Sequence, residues 1–110
     1  MLTGFVGANE VRKISKPNKH DRYVESLCTA IEGKYDYLLR NVPLYSSKRR
    51  LVGEVDVLAV KDDVCDIYEV KCSYRIAKAK RQLTKVRKHL QTRVRNAFFF
   101  CGDSESLVWI

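Results

Sequence analysis

The sequence predicts an α/β domain, a mixed central β-sheet flanked by helices in the order α-β-β-β-α-β. Three observations predict it. Two segments repeat apolar residues at helical spacing. Between them lie three extended segments rich in Val, Leu and Tyr. The second helical segment is followed by a continuous apolar run containing Phe98, Phe99 and Phe100. A chain of 110 residues has room for one core, so a single domain over 1–110 is expected.

Residues 1–18 read as a basic N-terminal arm carrying Arg12, Lys13 and Lys16, and Pro17-Asn18 is a break just before a helix. From His20 to Glu32, Val24, Leu27, Cys28 and Ile31 fall at i, i+3, i+4 and i+7, the apolar stripe of an amphipathic helix. Gly33 is placed to end that helix as a C′ residue. Tyr35 to Val42 reads as a strand closed by Pro43, and Ser46 to Arg50 as a polar, basic turn. Leu51 to Val60 and Val64 to Cys72 are alternating strands joined by Lys61-Asp62-Asp63, so they form a hairpin. A long helix is predicted over Arg75 to Arg95, because Ile76, Ala79, Leu83, Val86, Leu90 and Val94 make one stripe. Ala97 to Cys101 suits a strand buried on both faces. Gly102-Asp103 turns the chain toward a short edge strand, Leu107 to Ile110.

The net charge is +8, and it is unevenly placed. Between Val70 and Gly102 there is no Asp or Glu, and ten Lys and Arg residues. The remainder of the chain holds eleven basic and thirteen acidic residues, so this one segment supplies the whole positive excess. A localised basic field suits a polyanion, of which nucleic acid is the commonest; the alternative is a solvated helix face. The four cysteines show no CxxC and no zinc-finger spacing. With no secretory leader or membrane span at the start of the sequence, they point to a reducing, intracellular compartment.

In a strand, residues i and i+2 share a face. Glu54 and Asp56 are therefore expected on one face, with Glu69 and Lys71 across the hairpin, while Val55, Val57, Tyr68 and Val70 turn to the opposite layer. Glu69–Lys71 alone could be an ordinary ion pair at a sheet margin. One lysine, however, cannot neutralise three carboxylates, and burying unpaired charge costs several kcal/mol per group. A hard divalent cation such as Mg²⁺ can neutralise them.

Gly53-Glu54-Val55-Asp56 followed by Tyr68-Glu69-Val70-Lys71 resembles the PD-(D/E)XK nuclease superfamily. Glu69-Val70-Lys71 matches the second half of its motif, Asp56 takes the place of the motif's aspartate, and no proline precedes Asp56. The resemblance spans residues 20–101 and implies a restriction-endonuclease-like core. It implies Mg²⁺, with Mn²⁺ as a substitute, held by Asp56, Glu69 and the Val70 carbonyl. Lys71 would orient or deprotonate the attacking water. Glu25 matches the acidic residue that many members place on the first helix as an outer ligand, or is a solvated helix glutamate. Glu54 is either a supporting ligand or a competitor for the role of Asp56. Gln82 matches the helix glutamine of RecB-like members, although Val86 stands where a tyrosine often follows.

Arg75, Lys78, His89 and Arg93 cluster with Gln82 on one flank of the predicted long helix, so they are the candidate DNA contacts together with Arg12, Lys13 and Lys16 of the arm. His89 reads equally as a surface residue, and Arg81 points off that flank. The function expected is a Mg²⁺-dependent endonuclease acting on branched or structured DNA. The small size, basic arm and Glu-Val-Lys-Cys-Ser run look similar to homodimeric archaeal and viral Holliday-junction resolvases. The alternatives are a RecB-like exonuclease or nickase, and a DNA-binding module that has lost catalysis. The expected partners are DNA and a second copy of the chain, not a membrane.

Overall fold

The first helix starts where its own side chains can satisfy its N-terminus. The Asn18 side chain accepts a hydrogen bond from the Asp21 backbone N–H at 2.8 Å, and the Asp21 carboxylate accepts from the Asn18 N–H at 3.4 Å. This reciprocal cap satisfies two amides that the helix itself cannot. The computed structural model describes residues 17–110; the arm residues Arg12, Lys13 and Lys16 lie outside the described residues. Helix α1 spans Lys19–Ile31 and buries Val24, Leu27, Cys28 and Ile31, the stripe expected of it. Gly33 does not end it in a left-handed conformation. The chain instead tightens into a 3-10 turn, Glu32–Lys34, in which Tyr35 N–H reaches the Glu32 carbonyl at 3.3 Å. Such i→i+3 bonds occupy carbonyls that a helix end leaves free.

Five strands follow: β1 (Tyr37–Tyr45), β2 (Leu51–Lys61), β3 (Val64–Lys71), then helix α2 (Ile76–His89), β4 (Val94–Cys101) and β5 (Ser106–Trp109). They form one mixed sheet in the order β1-β2-β3-β4-β5. Neighbours are antiparallel except β3 and β4, which run parallel and are joined across the sheet by α2. The class is α/β, as the sequence predicts. No helix among the described residues is long and apolar enough to cross a membrane.

Two boundaries differ from expectation. Pro43 does not close the first strand: β1 runs through it to Tyr45, and Pro43 pairs with Glu54. Proline is tolerated because, among the described residues, β1 is an edge strand with no strand bonded on one side. The second helix stops at His89 instead of Arg95, with Leu90 already extended (φ −79°, ψ 132°). Pairing with β3 claims the rest, since Cys65 N–H bonds the Arg93 carbonyl at 2.9 Å and Val94 lies beside Cys65. Leu90 and Val94 still pack with Leu83 and Val86. Their burial follows the stripe, but a helix does not carry it, because tertiary pairing outweighs weak helix propensity.

The sheet is covered on both faces. Val57, Ala59, Tyr68, Val70 and Phe100 pack against α1. Leu58, Val60, Cys65, Ile67 and Ala97 pack against Leu83 and Val86 of α2, and Phe99 and Cys101 against its Ala79. All four thiols are free; Cys28, Cys65 and Cys101 are buried and Cys72 is half-buried. At Asp56 the alternation of β2 breaks. Val55 joins the α2 layer, whereas Val57, two residues on, joins the α1 layer. Asn41, which faces this point from β1, has a positive φ of 53°. Pairing of β2 with β3 runs only from Lys61–Val64 to Val57–Tyr68, while β2 stays paired with β1 as far as Leu51. The sheet therefore forks at Asp56.

Candidate active site

A fork in a sheet leaves backbone groups without partners, and the first group exposed on β3 is Val70 N–H. The Asp56 carboxylate fills the gap, accepting from that N–H at 2.8 Å. This bond fixes Asp56 beside Glu69. Asp56 and Glu69 are 6% and 5% exposed. Lys71 Nζ lies 3.1 Å from Glu69 Oε2, and the chain just past it is tied down by Gly102 N–H donating to the Lys71 carbonyl at 2.8 Å.

The electrostatics are unbalanced. Burial pushes the Glu69 carboxyl up to about 7, the neighbouring Asp56 carboxylate adds to the rise, and Lys71 opposes it. One ammonium faces two buried carboxylates. The remaining negative charge is costly in a dry site unless a proton or a cation neutralises it. The donors at hand are two carboxylates and the Val70 carbonyl, hard oxygens that suit Mg²⁺ or Mn²⁺.

A fourth group arrives unannounced by the motif. His20, in the first turn of α1, places Nε2 3.0 Å from the Val70 carbonyl and 3.5 Å from Asp56 Oδ2. A carbonyl only accepts, so Nε2 carries the proton in this arrangement. His20 thus touches two of the three groups expected to hold the cation. Its signal was present in the sequence, since His20 extends the Val24, Leu27, Ile31 stripe by one turn toward the N-terminus. Among the described residues, no three His, Cys, Asp or Glu side chains close into a preformed metal cage.

The other predicted residues are distributed more widely than expected. Glu54 does not join Asp56, Glu69 and Lys71 on one face. It stays with β1 opposite Pro43, and it is exposed, because the fork separates this part of β2 from β3. Val55 likewise leaves the layer shared by Val57, Tyr68 and Val70. Glu25 is held by Arg40, which donates from Nε at 2.5 Å and from Nη2 at 3.1 Å. Glu25 borders a cleft of about 480 Å³ lined also by Asp21, Val24 and Asn41, so it lies at the rim of the fork and is engaged by a guanidinium.

Gln82 donates from Nε2 to the Glu54 carbonyl at 3.3 Å, and Lys85 Nζ to the Val52 carbonyl at 3.2 Å. Both brace the diverging stretch of β2 from α2. Gly53 permits the approach, since a Cβ there would lie 3.2 Å from Gln82 Nε2.

The single flank expected of Arg75, Lys78, His89 and Arg93 divides in two. Helix α2 has 14 residues, about 21 Å of length. Arg75 and Lys78 lie at its N-terminal end, near the end of β3, with Arg81 beside them in one cleft. His89 lies at the opposite end, against Tyr45 and Ser46. Arg93 is outside the helix in the connection to β4.

A third buried carboxylate escaped the sequence reading. Asp66 accepts from Arg95 Nε at 3.1 Å and Nη2 at 2.9 Å, from Asn96 N–H at 3.1 Å, and from the Tyr35 hydroxyl at 2.5 Å. Tyr68 lies 2.7 Å from the same hydroxyl. An acidic residue amid β-branched neighbours was the available signal, but nothing in sequence spacing names partners 31 and 29 positions away. A scan of protein-family models finds none that matches this chain and a search of curated proteins finds no match, so the reading of the site rests on its geometry.

Proposed function

We propose that this protein is a Mg²⁺-dependent nuclease that hydrolyses phosphodiester bonds in DNA. The observation that carries the reading is the under-neutralised Asp56–Glu69 pair, with Lys71 beside it, where β2 parts from β3. Asp56, Glu69 and the Val70 carbonyl would hold the cation, with His20 positioning that carbonyl and the Asp56 carboxylate from α1. When bound, Mg²⁺ supplies Lewis-acid stabilisation of the phosphoryl charge and favours ionisation of water.

The chain's own residues supply the rest. Lys71, anchored to Glu69 and through its carbonyl to Gly102, keeps its ammonium where it can orient an attacking water and offset phosphate charge. Asp56 is oriented by Val70 N–H, so one oxygen is committed to the backbone and the other is left for ligation. Gln82 and Lys85 hold the strand that delivers Asp56. In the reaction the water oxygen forms a new P–O bond and gives up a proton as the P–O bond to the leaving oxygen breaks, and the leaving oxygen takes up a proton. The acid-free basic segment supplies the field that draws a polyanion.

The test is incubation of purified protein with supercoiled, linear, single-stranded and four-way-junction DNA, in Mg²⁺, in Mn²⁺ and in EDTA. We expect cutting with either cation and none in EDTA. Nicking of the closed circle identifies an endonuclease, and preference for the junction identifies structured DNA as the substrate. Undiminished cutting in EDTA, or none on any DNA with metal present, overturns the reading.

A further inference from the structure

Cys72 to Arg75 carry the chain from the end of β3 into α2, and Tyr74 stands three residues past Lys71. Here Tyr74 is 57% exposed. Its ring is anchored by an inclined, edge-type contact with Phe99, centroid to centroid at 5.5 Å and 61°, while more than half of the residue stays open to solvent. Phe99 is itself fully buried, which makes the platform rigid. Tyr74 lines a cleft of about 330 Å³ with Arg75, Ile76, Ala77, Lys78 and Arg81. Three cations thus share one cleft with an exposed aromatic ring, and the acid-free segment offers them no carboxylate of its own.

An open aromatic ring costs hydrophobic exposure, and three like charges around it repel one another. A ligand that is both a flat π-system and a polyanion relieves both costs. A nucleotide has that chemistry: its base stacks, and its flanking phosphates pair with guanidinium and ammonium groups. In an intact duplex each base has both faces covered by its neighbours, so the ring can accept only a base freed from the stack. We propose that the Tyr74 cleft binds an unpaired nucleotide of a DNA strand, with its base on Tyr74 and its phosphates on Arg75, Lys78 and Arg81. This rests on the nuclease reading and narrows its substrate to DNA with a single-stranded segment beside the scissile bond.

Two of the other exposed aromatics are less suited. Trp109 is tied through Nε1 to Asn96 at 3.3 Å on the β5 edge, and Tyr45 lies at the opposite end of α2 from Lys71.

The experiment measures binding alone. Fluorescence anisotropy with a labelled short oligothymidylate strand and a blunt duplex of equal length, both in EDTA, compares the parent chain with Tyr74→Phe and Tyr74→Ala. We expect Tyr74→Ala to weaken single-strand binding about tenfold, Tyr74→Phe to change it less than about twofold, and neither to alter duplex binding. Photocrosslinking with an oligonucleotide bearing 5-iododeoxyuridine should label the peptide containing Tyr74. Equal losses on both DNAs, a Tyr74→Phe variant as weak as Tyr74→Ala, or no single-strand binding by the parent overturns the proposal. Because nothing is cut in this assay, a Tyr74 effect in a protein that never cleaves sinks only the nuclease reading. Mg²⁺-dependent cleavage with no Tyr74 effect sinks only this one.

Discussion

Asp66 and Glu69 lie three residues apart on β3 and are 2% and 5% exposed, yet their surroundings differ in kind. Asp66 is surrounded by donors. Burial works to raise its pKa, but Arg95, the Tyr35 hydroxyl and Asn96 N–H outweigh burial and hold the carboxyl below its usual range. Glu69 has one cation and a second carboxylate against it, and its carboxyl is pushed up to about 7. The protein can fully neutralise a buried acid, and at Asp66 it does. The deficit at Glu69 is local, and it is the imbalance on which the proposed cation rests.

The sharpest way to break this comparison is cleavage. Asp56→Ala, Glu69→Ala and Lys71→Ala should each reduce Mg²⁺-dependent cutting by about 10²–10⁴-fold, while Asp66→Ala should leave the rate per folded molecule unchanged. Single-turnover assays normalised to folded fraction check it. A folded Asp66→Ala protein as inactive as Glu69→Ala would erase the difference between the two carboxylates.

Stability should order the same variants in reverse. Asp66→Ala removes the acceptor of four hydrogen bonds and should cost about 2 kcal/mol, a figure reduced because the Arg95 side chain is half exposed. Without divalent cations at pH 8, Glu69→Gln should instead gain about 1–2 kcal/mol, by removing a charge the fold holds reluctantly. Urea unfolding of both variants settles the ordering, and a destabilised Glu69→Gln protein would contradict it.

The pH profile follows from the sign of each shift. Glu69 binds its proton more tightly when folded, so its contribution is complete below the unfolded value of 4.5 and is lost as pH rises toward about 7. Asp66 is shifted the other way, so its contribution is present above the ordinary 3.8 and is lost in acid. In EDTA, the parent minus Glu69→Gln stability difference should therefore fall between pH 4.5 and about 7. Saturating Mg²⁺ should remove that fall, and at a hundred times its dissociation constant should add about 2.7 kcal/mol at pH 8. Differential scanning calorimetry reads both, and a flat difference in EDTA would show that Glu69 is adequately neutralised.

The smallest effect concerns His20. Its ring bonds the Val70 carbonyl but is over a third exposed, so His20→Ala should move the Mg²⁺ concentration for half-maximal cleavage up by about tenfold, with little change in Tm. Unchanged metal dependence would confine His20 to capping the fork.

The periodic parts of this fold were legible because periodicity reports burial. The α1 stripe, the β2–β3 hairpin and the apolar β4 run are all present. The positions that fooled periodicity are those where a neighbour decides. Pro43 is harmless only because β1 is an edge, and Leu90 and Val94 are buried in a helical rhythm although β3 recruits their backbone into the sheet. In the site, Glu69 and Lys71 stood out because charges on a core strand are costly. Glu54 appeared to belong with them, since regular alternation cannot foresee the fork at Asp56. His20 and Arg95 meet their acids only across elements, a relation that spacing along the chain does not encode.

The uneven burial of the thiols gives the molecule a ready experimental handle. Burial pushes Cys28 and Cys65 up and away from the reactive thiolate, and Cys101 is enclosed with Phe99 and Ala79. Only Cys72 reaches solvent, and it is bonded directly to Lys71 in the chain. A thiol-directed fluorophore or spin label added to the unaltered protein should therefore attach at one place. That label would report from next to Lys71 on whether metal and a DNA strand arrive at the proposed site, with no cysteine to add or remove.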